Sequence, residues 1–364
     1  LMAIIVACSG GGSTSTDSQD KEADNQTEES SEEASEEDEG DGQASGDAQI
    51  VLRLSHQWPA ATVDEGDFRS VLAERFGAEI EKRTNGEIVI QQYPAQSLVK
   101  AQEQYDALIR GAIDMSVYPL DYAGGKIPQF GITLMPALVK NHDQAIAWET
   151  SEIGEMIDKI AYDNGLKILV WVWNAGAIGT KGDPIVRPDD IRDGMQIRAA
   201  GSLVEEMLAS AGAGITSMPS SEIYSALQTN VLDAAVTSNS SFASYKLYEQ
   251  VDSFTTSLKN TFWFMFEPLV ISTKVWEELT PEQQQIFEEV AAELQPWAYE
   301  ASIQDDTNVA ELFKEQGVNV VDMDDDAYAE WVELSKPIWE KFAETVDGGR
   351  ELLDAALKVQ EEVQ

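Results

Sequence analysis

Two histidines and one cysteine are the only residues of their types in this chain of 364 residues, and their placement limits its chemistry. His56 and His142 lie 86 residues apart, and neither belongs to an HExxH motif, so the sequence predicts no histidine-based metal site. Cys8 stands alone, which excludes a disulfide within the chain and a multi-cysteine metal site. No G-x-S-x-G turn, P-loop or G-x-G-x-x-G motif follows a predicted strand. We therefore predict no catalytic residue, no metal and no cofactor, and a protein that is not an enzyme.

The first 48 residues differ in composition from the rest of the chain. Residues 1–8 are a short apolar run that ends in small residues and Cys8, as at the end of a signal peptide. The stretch IVAC at 5–8 is similar to a bacterial lipobox, in which the cysteine is acylated and becomes the mature N-terminus. A lone cysteine without function in a leader is the alternative. Residues 9–48 carry 14 acids against one lysine and contain no large apolar side chain, so we predict a disordered acidic tether.

The formal net charge of −42 limits the partners of the protein. The tether accounts for −13 of this charge, so the remainder of the chain is itself strongly acidic. Nucleic acid is excluded as a partner, because its phosphates require lysine and arginine. Such a surface is typical of a protein that works in high salt, where screening shortens the reach of self-repulsion. No later stretch has about 20 uninterrupted apolar residues, so we expect membrane contact through a lipid anchor only.

From residue 49 onward, strands and helices alternate. The apolar patterns predict strands at 50–55, 88–93, 113–117, 168–173, 195–198, 214–216, 233–236 and 268–272. Helices are predicted between them, at 68–80, 101–110, 156–164, 203–211, 221–229 and 242–250. The repeated strand–helix pattern favours parallel sheets with helices on their faces.

One predicted helix is unusually long for a globular protein. Thr280, Pro281 and Gln283 form a strong start signal, because threonine caps, proline suits the first turn and glutamine reaches back to the cap. The apolar pattern then continues to Gly317, which predicts a helix over 281–316. We expect Pro296 to bend it.

Three stretches carry a resemblance to a known family, over residues 50–345. They occur in the family's order and spacing, and they are TNGEIVI (84–90) followed by YPAQSL (93–98) and LIRGAIDM (108–115); PI (184–185) followed by PDDIRDGMQIR (188–198); and MPSSEIYSALQT (218–229) ending in Asp233. The chain resembles the DctP-type solute-binding proteins of tripartite ATP-independent periplasmic (TRAP) transporters. The lipobox is consistent with this resemblance, since such receptors work outside the cytoplasmic membrane.

The resemblance implies an α/β fold of two domains, the periplasmic-binding-protein-like (type II-like) fold, with a long bent helix spanning both domains. The ligand then lies in the cleft between the domains, and hinge closure traps it. The expected boundaries are a signal remnant over 1–8, the tether over 9–48, domain I over 49–173 and 256–295, domain II over 174–255 and 296–345, and a C-terminal helix over 346–364.

Arg198 is the principal candidate for binding the ligand. Taken alone, it is interpreted as a surface arginine paired with one of the many acids. In the family, however, the arginine at the end of this strand holds the ligand carboxylate. A guanidinium offers two parallel donors that match a carboxylate, in a cleft that excludes water on closing.

The other candidate positions depart from the family. Compared with members that bind sialic acid, a second arginine falls on Ala177, an asparagine on Thr237 and an acid near Pro119, so the contacts suited to a sugar acid are largely missing. Aromatic residues stand where pocket loops are expected, with core packing as the alternative for each. The resulting candidate ligand-binding residues, in addition to Arg198, are Trp58, Tyr118, Trp173, Thr237, Asn239 and Trp263.

These observations predict an extracytoplasmic receptor, periplasmic or on the cell surface, that is anchored by lipid at Cys8. The expected ligand is a small organic monocarboxylate with an apolar or aromatic body, and the expected partners are the integral membrane subunits of a TRAP transporter. The alternative is an ABC-type solute-binding lipoprotein on a similar two-domain plan. The two predict different membrane partners, since only the ABC type works with an ATPase.

Overall fold

A computed structural model describes residues 49–363, so Cys8 and the predicted tether lie outside the described residues. The strands of this part of the chain are β1 (Ile50–Ser55), β2 (Ile88–Tyr93), β3 (Met115–Val117), β4 (Leu166–Val170), β5 (Trp173–Thr180), β6 (Gln196–Arg198), β7 (Gly214–Ile215), β8 (Ala234–Ser238), β9 (Ser253–Thr256), β10 (Phe264–Phe266), β11 (Leu269–Ser272) and β12 (Asn319–Asp322).

The helices pack on both sides of these strands. They are α1 (Phe68–Arg83), α2 (Gln104–Arg110), α3 (His142–Trp148), α4 (Glu152–Asp163), α5 (Ser202–Ser210), α6 (Ile223–Gln228), α7 (Asn239–Ser244), α8 (Thr273–Glu278), α9 (Pro281–Glu315), α10 (Asp325–Thr345) and α11 (Gly349–Glu362).

The strands form two sheets. The first has the order β2-β1-β3-β11-β4, and the second has the order β12-β9-β5-β8-β6-β7, with β10 paired to β5. We call the first sheet and the helices packed on it the first lobe, and the second sheet and its helices the second lobe. The protein is thus a mixed α/β protein with two sheets, as the sequence predicts. The domain boundaries given above stay a prediction.

The expectation of purely parallel sheets was wrong. In the first sheet β1 runs parallel to β2 and β3, but β11 runs antiparallel to both of its neighbours. In the second sheet β5 runs antiparallel to β8, β9 and β10. The physical reason is that the chain crosses between the sheets, and a strand that enters a sheet from the other lobe can run against its neighbours.

The crossings also explain one wrong strand boundary. The apolar stretch 168–173 is not a single strand, because β4 ends at Val170 in the first sheet and β5 begins at Trp173 in the second. The chain returns between β10 and β11 at Glu267, whose amide donates to the carbonyl of Val172 at 2.8 Å. The two crossing segments therefore touch one another, as expected of a hinge.

Helix α9 extends from the first lobe to the second. Its predicted capping box is present: the Thr280 hydroxyl accepts from the amide of Gln283 at 3.2 Å, and the Gln283 side chain accepts from the amide of Thr280 at 2.9 Å. Phe287 packs in the core beneath the first sheet, whereas Phe313 packs in the core of the second. Pro296 lies between these two halves.

Candidate ligand-binding site

The site is built where two sheet edges meet. Parallel strands end at the same edge of a sheet, so β1 and β3 bring the residues after Ser55 and Val117 together. In the second sheet, β6 and β8 do the same for Arg198 and the residues after Ser238. Ligands of α/β proteins bind outside such carboxyl ends.

Hydrogen bonds join the two edges directly. Gln57, which follows β1, accepts from Ser220 at 3.3 Å through its side chain and from the Tyr245 hydroxyl at 2.9 Å through its carbonyl. The side chain of Gln96, which follows β2, donates to Ser221 at 2.8 Å. Because these bonds connect opposite lobes, the structure is a closed form.

Arg198 ends β6 and is 1% exposed. Its Nε donates to the carbonyl of Met218 and its Nη1 to the carbonyl of Val236, both at 2.9 Å, while its Nη2 lies 3.5 Å from the hydroxyl of Tyr122. A guanidinium has five N–H donors, so two remain for another acceptor. Among residues 49–363 the Arg198 side chain forms no ion pair with a carboxylate.

The electrostatics of Arg198 reflect this isolation. Burial lowers the pKa of its guanidinium, and the hydroxyl of Tyr122 with the more distant Glu205 offsets only part of that effect. Burial likewise raises the pKa of Asp121 to about 7, assisted by Glu205 and opposed by Arg198. Burial therefore favours the neutral form of Asp121 and weakens it as a counter-ion to Arg198.

A cavity of about 240 Å³ lies beside Arg198. Two of its lining residues, Tyr122 and Met218, are among the three that contact the guanidinium, whereas Arg198 itself and the candidate aromatic residues do not line it. Asp121, Gly201 and Glu205 also line the cavity. Gly201 has φ +87°, and a Cβ there would lie 2.7 Å from a methyl of Leu134 and 3.1 Å from an Asp121 oxygen, so this position requires glycine.

The predicted aromatic residues are buried near the same strand ends. Trp58, Tyr118, Trp173 and Trp263 are each at most 1% exposed. The indole nitrogens of the three tryptophans and the hydroxyl of Tyr118 have no hydrogen-bond partner among residues 49–363. Such a donor is costly to bury, by about 1–3 kcal/mol, unless a ligand or water satisfies it.

The four aromatic residues have different neighbours. The ring of Tyr118 packs edge-on against Tyr122, 6.3 Å between centroids, which places it one side chain away from Arg198. Trp263 lies over Gly176 at the start of β5. Trp173 packs against Trp148 at 5.1 Å, within the core. All four rings belong to the hydrophobic cores, and Tyr118 is the one whose ring neighbour contacts Arg198.

Thr237 and Asn239 lie at the end of β8 and the start of α7. Thr237 is buried and pairs with Ala177 across the sheet. The Asn239 amide donates to Ser257 and to Asp306, both at 2.6 Å. Since both of its N–H groups are engaged, Asn239 offers a ligand only its carbonyl oxygen.

Several neighbouring groups were not predicted. His56 begins the loop after β1 and is 1% exposed, and its Nδ1 has no partner among the described residues. Burial lowers the pKa of His56 to about 4, so its ring is neutral at physiological pH. Gln57, Tyr122 and Tyr245 were also missed. For Gln57 and Tyr122 the available signal was position, because they follow β1 and β3 as Trp58 and Tyr118 do, whereas Tyr245 follows helix α7 and had no such signal.

Arg69 was missed without any local signal. It lies in the first turn of α1, where a charged residue is normally solvated, yet it is 0% exposed. It forms a bidentate pair with Asp67, at 2.9 and 2.7 Å, and a second ion pair with Glu267 at 2.7 Å. Burial alone would raise the pKa of Asp67, but the attraction and hydrogen bonds of Arg69 lower it.

Residues 49–363 contain neither a cluster of metal-ligating side chains nor a helix suited to span a membrane. No group of three or more histidine, cysteine, aspartate or glutamate residues there is placed to hold a metal ion. No helix in the same range combines the length and apolar character needed to cross a membrane.

Comparison with known proteins identifies the family. Residues 54–345 match the family model DctP, described as bacterial extracellular solute-binding protein, family 7. A solute-binding protein of Albidiferax ferrireducens is 39% identical over 306 residues, which is 84% of this chain and 90% of that protein.

Solved structures give the same result. A TRAP periplasmic solute-binding protein from Rhodoferax ferrireducens, with bound malonate, is 38% identical with a TM-score of 0.83, covering 85% of this chain and 98% of that one. A TRAP periplasmic solute-binding protein from Shewanella oneidensis, with bound succinate, shares the fold at 20% identity and a TM-score of 0.76, covering 86% and 99%.

Proposed function

This chain belongs to the DctP family of bacterial extracellular solute-binding proteins, family 7, and from that premise we propose that it holds a small carboxylate between its lobes through Arg198. The prediction of an extracytoplasmic TRAP solute-binding receptor, and not an enzyme, is confirmed by the family. The comparisons lend no support to the ABC-type alternative.

The uncompensated charge of Arg198 carries the proposal. A buried cation without a counter-ion costs several kcal/mol, and a carboxylate that enters the cleft offsets this cost. Two N–H donors of the guanidinium remain for it, which is the number that a bidentate carboxylate accepts. The binding free energy therefore comes from a charge that the protein itself leaves unpaired.

The remaining donors support one negative charge on the ligand. His56 is neutral, and burial raises the pKa of Tyr118 well above its usual range, so its phenol stays protonated. Arg69 is neutralised by its own two acids. We therefore propose a monocarboxylate whose body lies against aromatic rings, with Trp58, Tyr118 and Trp263 ahead of Trp173. Thr237 and the carbonyl of Asn239 complete the proposed pocket.

Calorimetric titration with a matched series tests this assignment. All three of lactate, phenylacetate and galacturonate carry one carboxylate, and we expect the first two to bind more tightly, because the hydroxyl-rich body of galacturonate would have to lie against the aromatic rings of the proposed pocket. Malonate is the critical competitor, since the Rhodoferax protein contains it. Tighter binding of malonate than of every monocarboxylate would show that neutral donors hold a second carboxylate. Binding of uncharged sugars alone would refute the role of Arg198.

We further propose that the closed form docks on the integral membrane subunits of a TRAP transporter. Uptake of the radiolabelled ligand into proteoliposomes that contain those subunits should then require this protein. Uptake that is unchanged in its absence would contradict the proposal.

Membrane attachment is proposed to occur through acylation of Cys8. The support is the lipobox-like stretch at 5–8 and the polar tether after it. Labelling of expressing cells with an alkyne fatty acid should tag the parent chain but not a Cys8→Ser variant. A parent chain that stays unlabelled while another lipoprotein of the same cells is labelled would exclude the anchor.

A further inference from the structure

Every donor of Arg69 is engaged. Besides its two bonds to Asp67 and its bond to Glu267, Nη1 donates to the Ser238 hydroxyl at 3.0 Å and Nη2 to the Ser241 hydroxyl at 3.2 Å. These five contacts account for all five N–H groups of a guanidinium. Arg69 is thus a saturated node, in contrast to Arg198.

The five contacts join three separate parts of the molecule. Asp67 caps α1 and belongs to the first lobe, as Arg69 does. Glu267 lies in the segment that crosses back from β10 to β11. Ser238 and Ser241 lie at the end of β8 and in α7, in the second lobe. A single side chain therefore connects one lobe, the crossing and the other lobe.

Arg69 also packs against the candidate ligand pocket. Its guanidinium carbon lies 3.9 Å from the centre of the Trp58 ring, within the range of a cation–π contact. His56 stacks on the same tryptophan, 6.0 Å between centroids. The orientation of Trp58 in the pocket loop thus depends on the position of Arg69.

We propose that Arg69 is a positioning residue that couples ligand binding to lobe closure. Its ion pair with Asp67 lies within the first lobe and its pair with Glu267 joins that lobe to the crossing segment, so we expect neither pair to depend on Ser238 or Ser241 when the lobes separate. Its bonds to Ser238 and Ser241 exist only in the closed form. Opening therefore removes two acceptors from a charged donor while the charge itself stays neutralised, so that closure is favoured without an ion pair having to break.

A variant that removes only one bond between the lobes distinguishes this role from simple stabilisation. Ser238 also caps α7, so its removal would disturb that helix, whereas the Ser241 hydroxyl is not the cap and accepts from Arg69 and, at 2.8 Å, from the Ser238 hydroxyl. Ser241→Ala is therefore the informative variant. The matched control is Ser225→Ala on α6, an exposed serine of the same lobe. Arg69→Lys, which keeps the charge but loses the five-donor fork, is a second variant.

Lobe closure is measured by double electron–electron resonance. Spin labels on Glu81→Cys in α1 and Gln228→Cys in α6, in a Cys8→Ser background, report the distance between exposed sites on opposite lobes. We expect Ser241→Ala to lower the closed fraction, and to weaken malonate or lactate binding about 3- to 10-fold by faster dissociation. The control should match the parent in both, and the unfolding midpoint of ligand-free Ser241→Ala should stay close to that of the parent.

The outcomes separate this inference from the proposed function, on which it rests only for the choice of probe. If no carboxylate binds the parent, the proposed function fails, and the ligand-free distance distributions still decide the role of Arg69. Distributions of parent and Ser241→Ala that overlay each other would overturn it. Equal ligand dissociation rates in the parent and Ser241→Ala would also overturn it. So would an Arg69→Lys variant whose unfolding midpoint falls while its closed fraction and ligand affinity stay unchanged.

Discussion

Arg69 and Arg198 are both buried, but their surroundings are opposite. Arg69 is enclosed by two carboxylates and two hydroxyls, so its charge is neutralised inside the protein. Arg198 is bonded to two carbonyls and approached by a phenol, so its charge is not. Burial of an arginine therefore does not by itself indicate a ligand site. What separates a structural arginine from a binding one is whether the protein supplies the anion.

The largest expected effect is on stability, at Arg69. Arg69→Met leaves Asp67 and Glu267 buried and unpaired, so we expect the free energy of unfolding to fall by about 3–5 kcal/mol in urea titrations. The control Arg83→Met breaks two partly exposed pairs, with Glu79 and Glu293, and should cost at most about 1 kcal/mol for each. Recovery in the triple variant with Asp67→Asn and Glu267→Gln would confirm the cause. Equal losses in both single variants would erase the distinction.

The second effect is on binding, at Arg198. Arg198→Met removes the unpaired charge, so we expect affinity for the best carboxylate to fall by about 2–5 kcal/mol in calorimetry. The same change relieves the cost of a buried cation, so stability without ligand should be unchanged or higher. Arg187→Met, at an exposed arginine, is the control. An Arg198→Met variant that binds the carboxylate as tightly as the parent would show that Arg198 is not the binding arginine.

A third effect depends on pH, at His56. Its pKa in the folded state is about 4, below the ordinary 6.5, so the unfolded chain takes up a proton first as the pH falls. The parent should therefore lose about 2 kcal/mol between pH 7 and pH 4.5 through this residue. His56→Gln should lack that component when unfolding is measured at both values. Identical pH dependence in the two proteins would mean that the ring titrates normally.

The smallest expected effect is on ligand affinity, at Trp58, which packs against Arg69 and is a candidate pocket residue. Trp58→Phe keeps an aromatic ring over Arg69 but removes the unpartnered indole nitrogen. We expect carboxylate affinity to weaken about 3- to 10-fold, with little change in the unfolding midpoint. A change in the midpoint alone would assign Trp58 to packing and not to the ligand.

The fold was largely predictable because its signals are local. The capping box at Thr280 and Gln283 and the apolar spacing after it specify the start and extent of α9. The crossing at residues 171–172 was not predictable, since an apolar stretch looks the same whether it stays in one sheet or divides between two. Where the strand breaks depends on which sheet offers the next hydrogen-bonding edge.

The sequence alone predicts the family, the two α/β units, the long helix and the position of Arg198 at a strand end, because each is encoded in neighbouring residues. The pairing of the two buried arginines, in contrast, is visible only in the folded protein. With 66 acidic residues in the chain, any of them could have neutralised Arg198. Charge pairing is set by distances between residues far apart in sequence, such as the 2.7 Å between Arg69 and Glu267, and no local pattern specifies them.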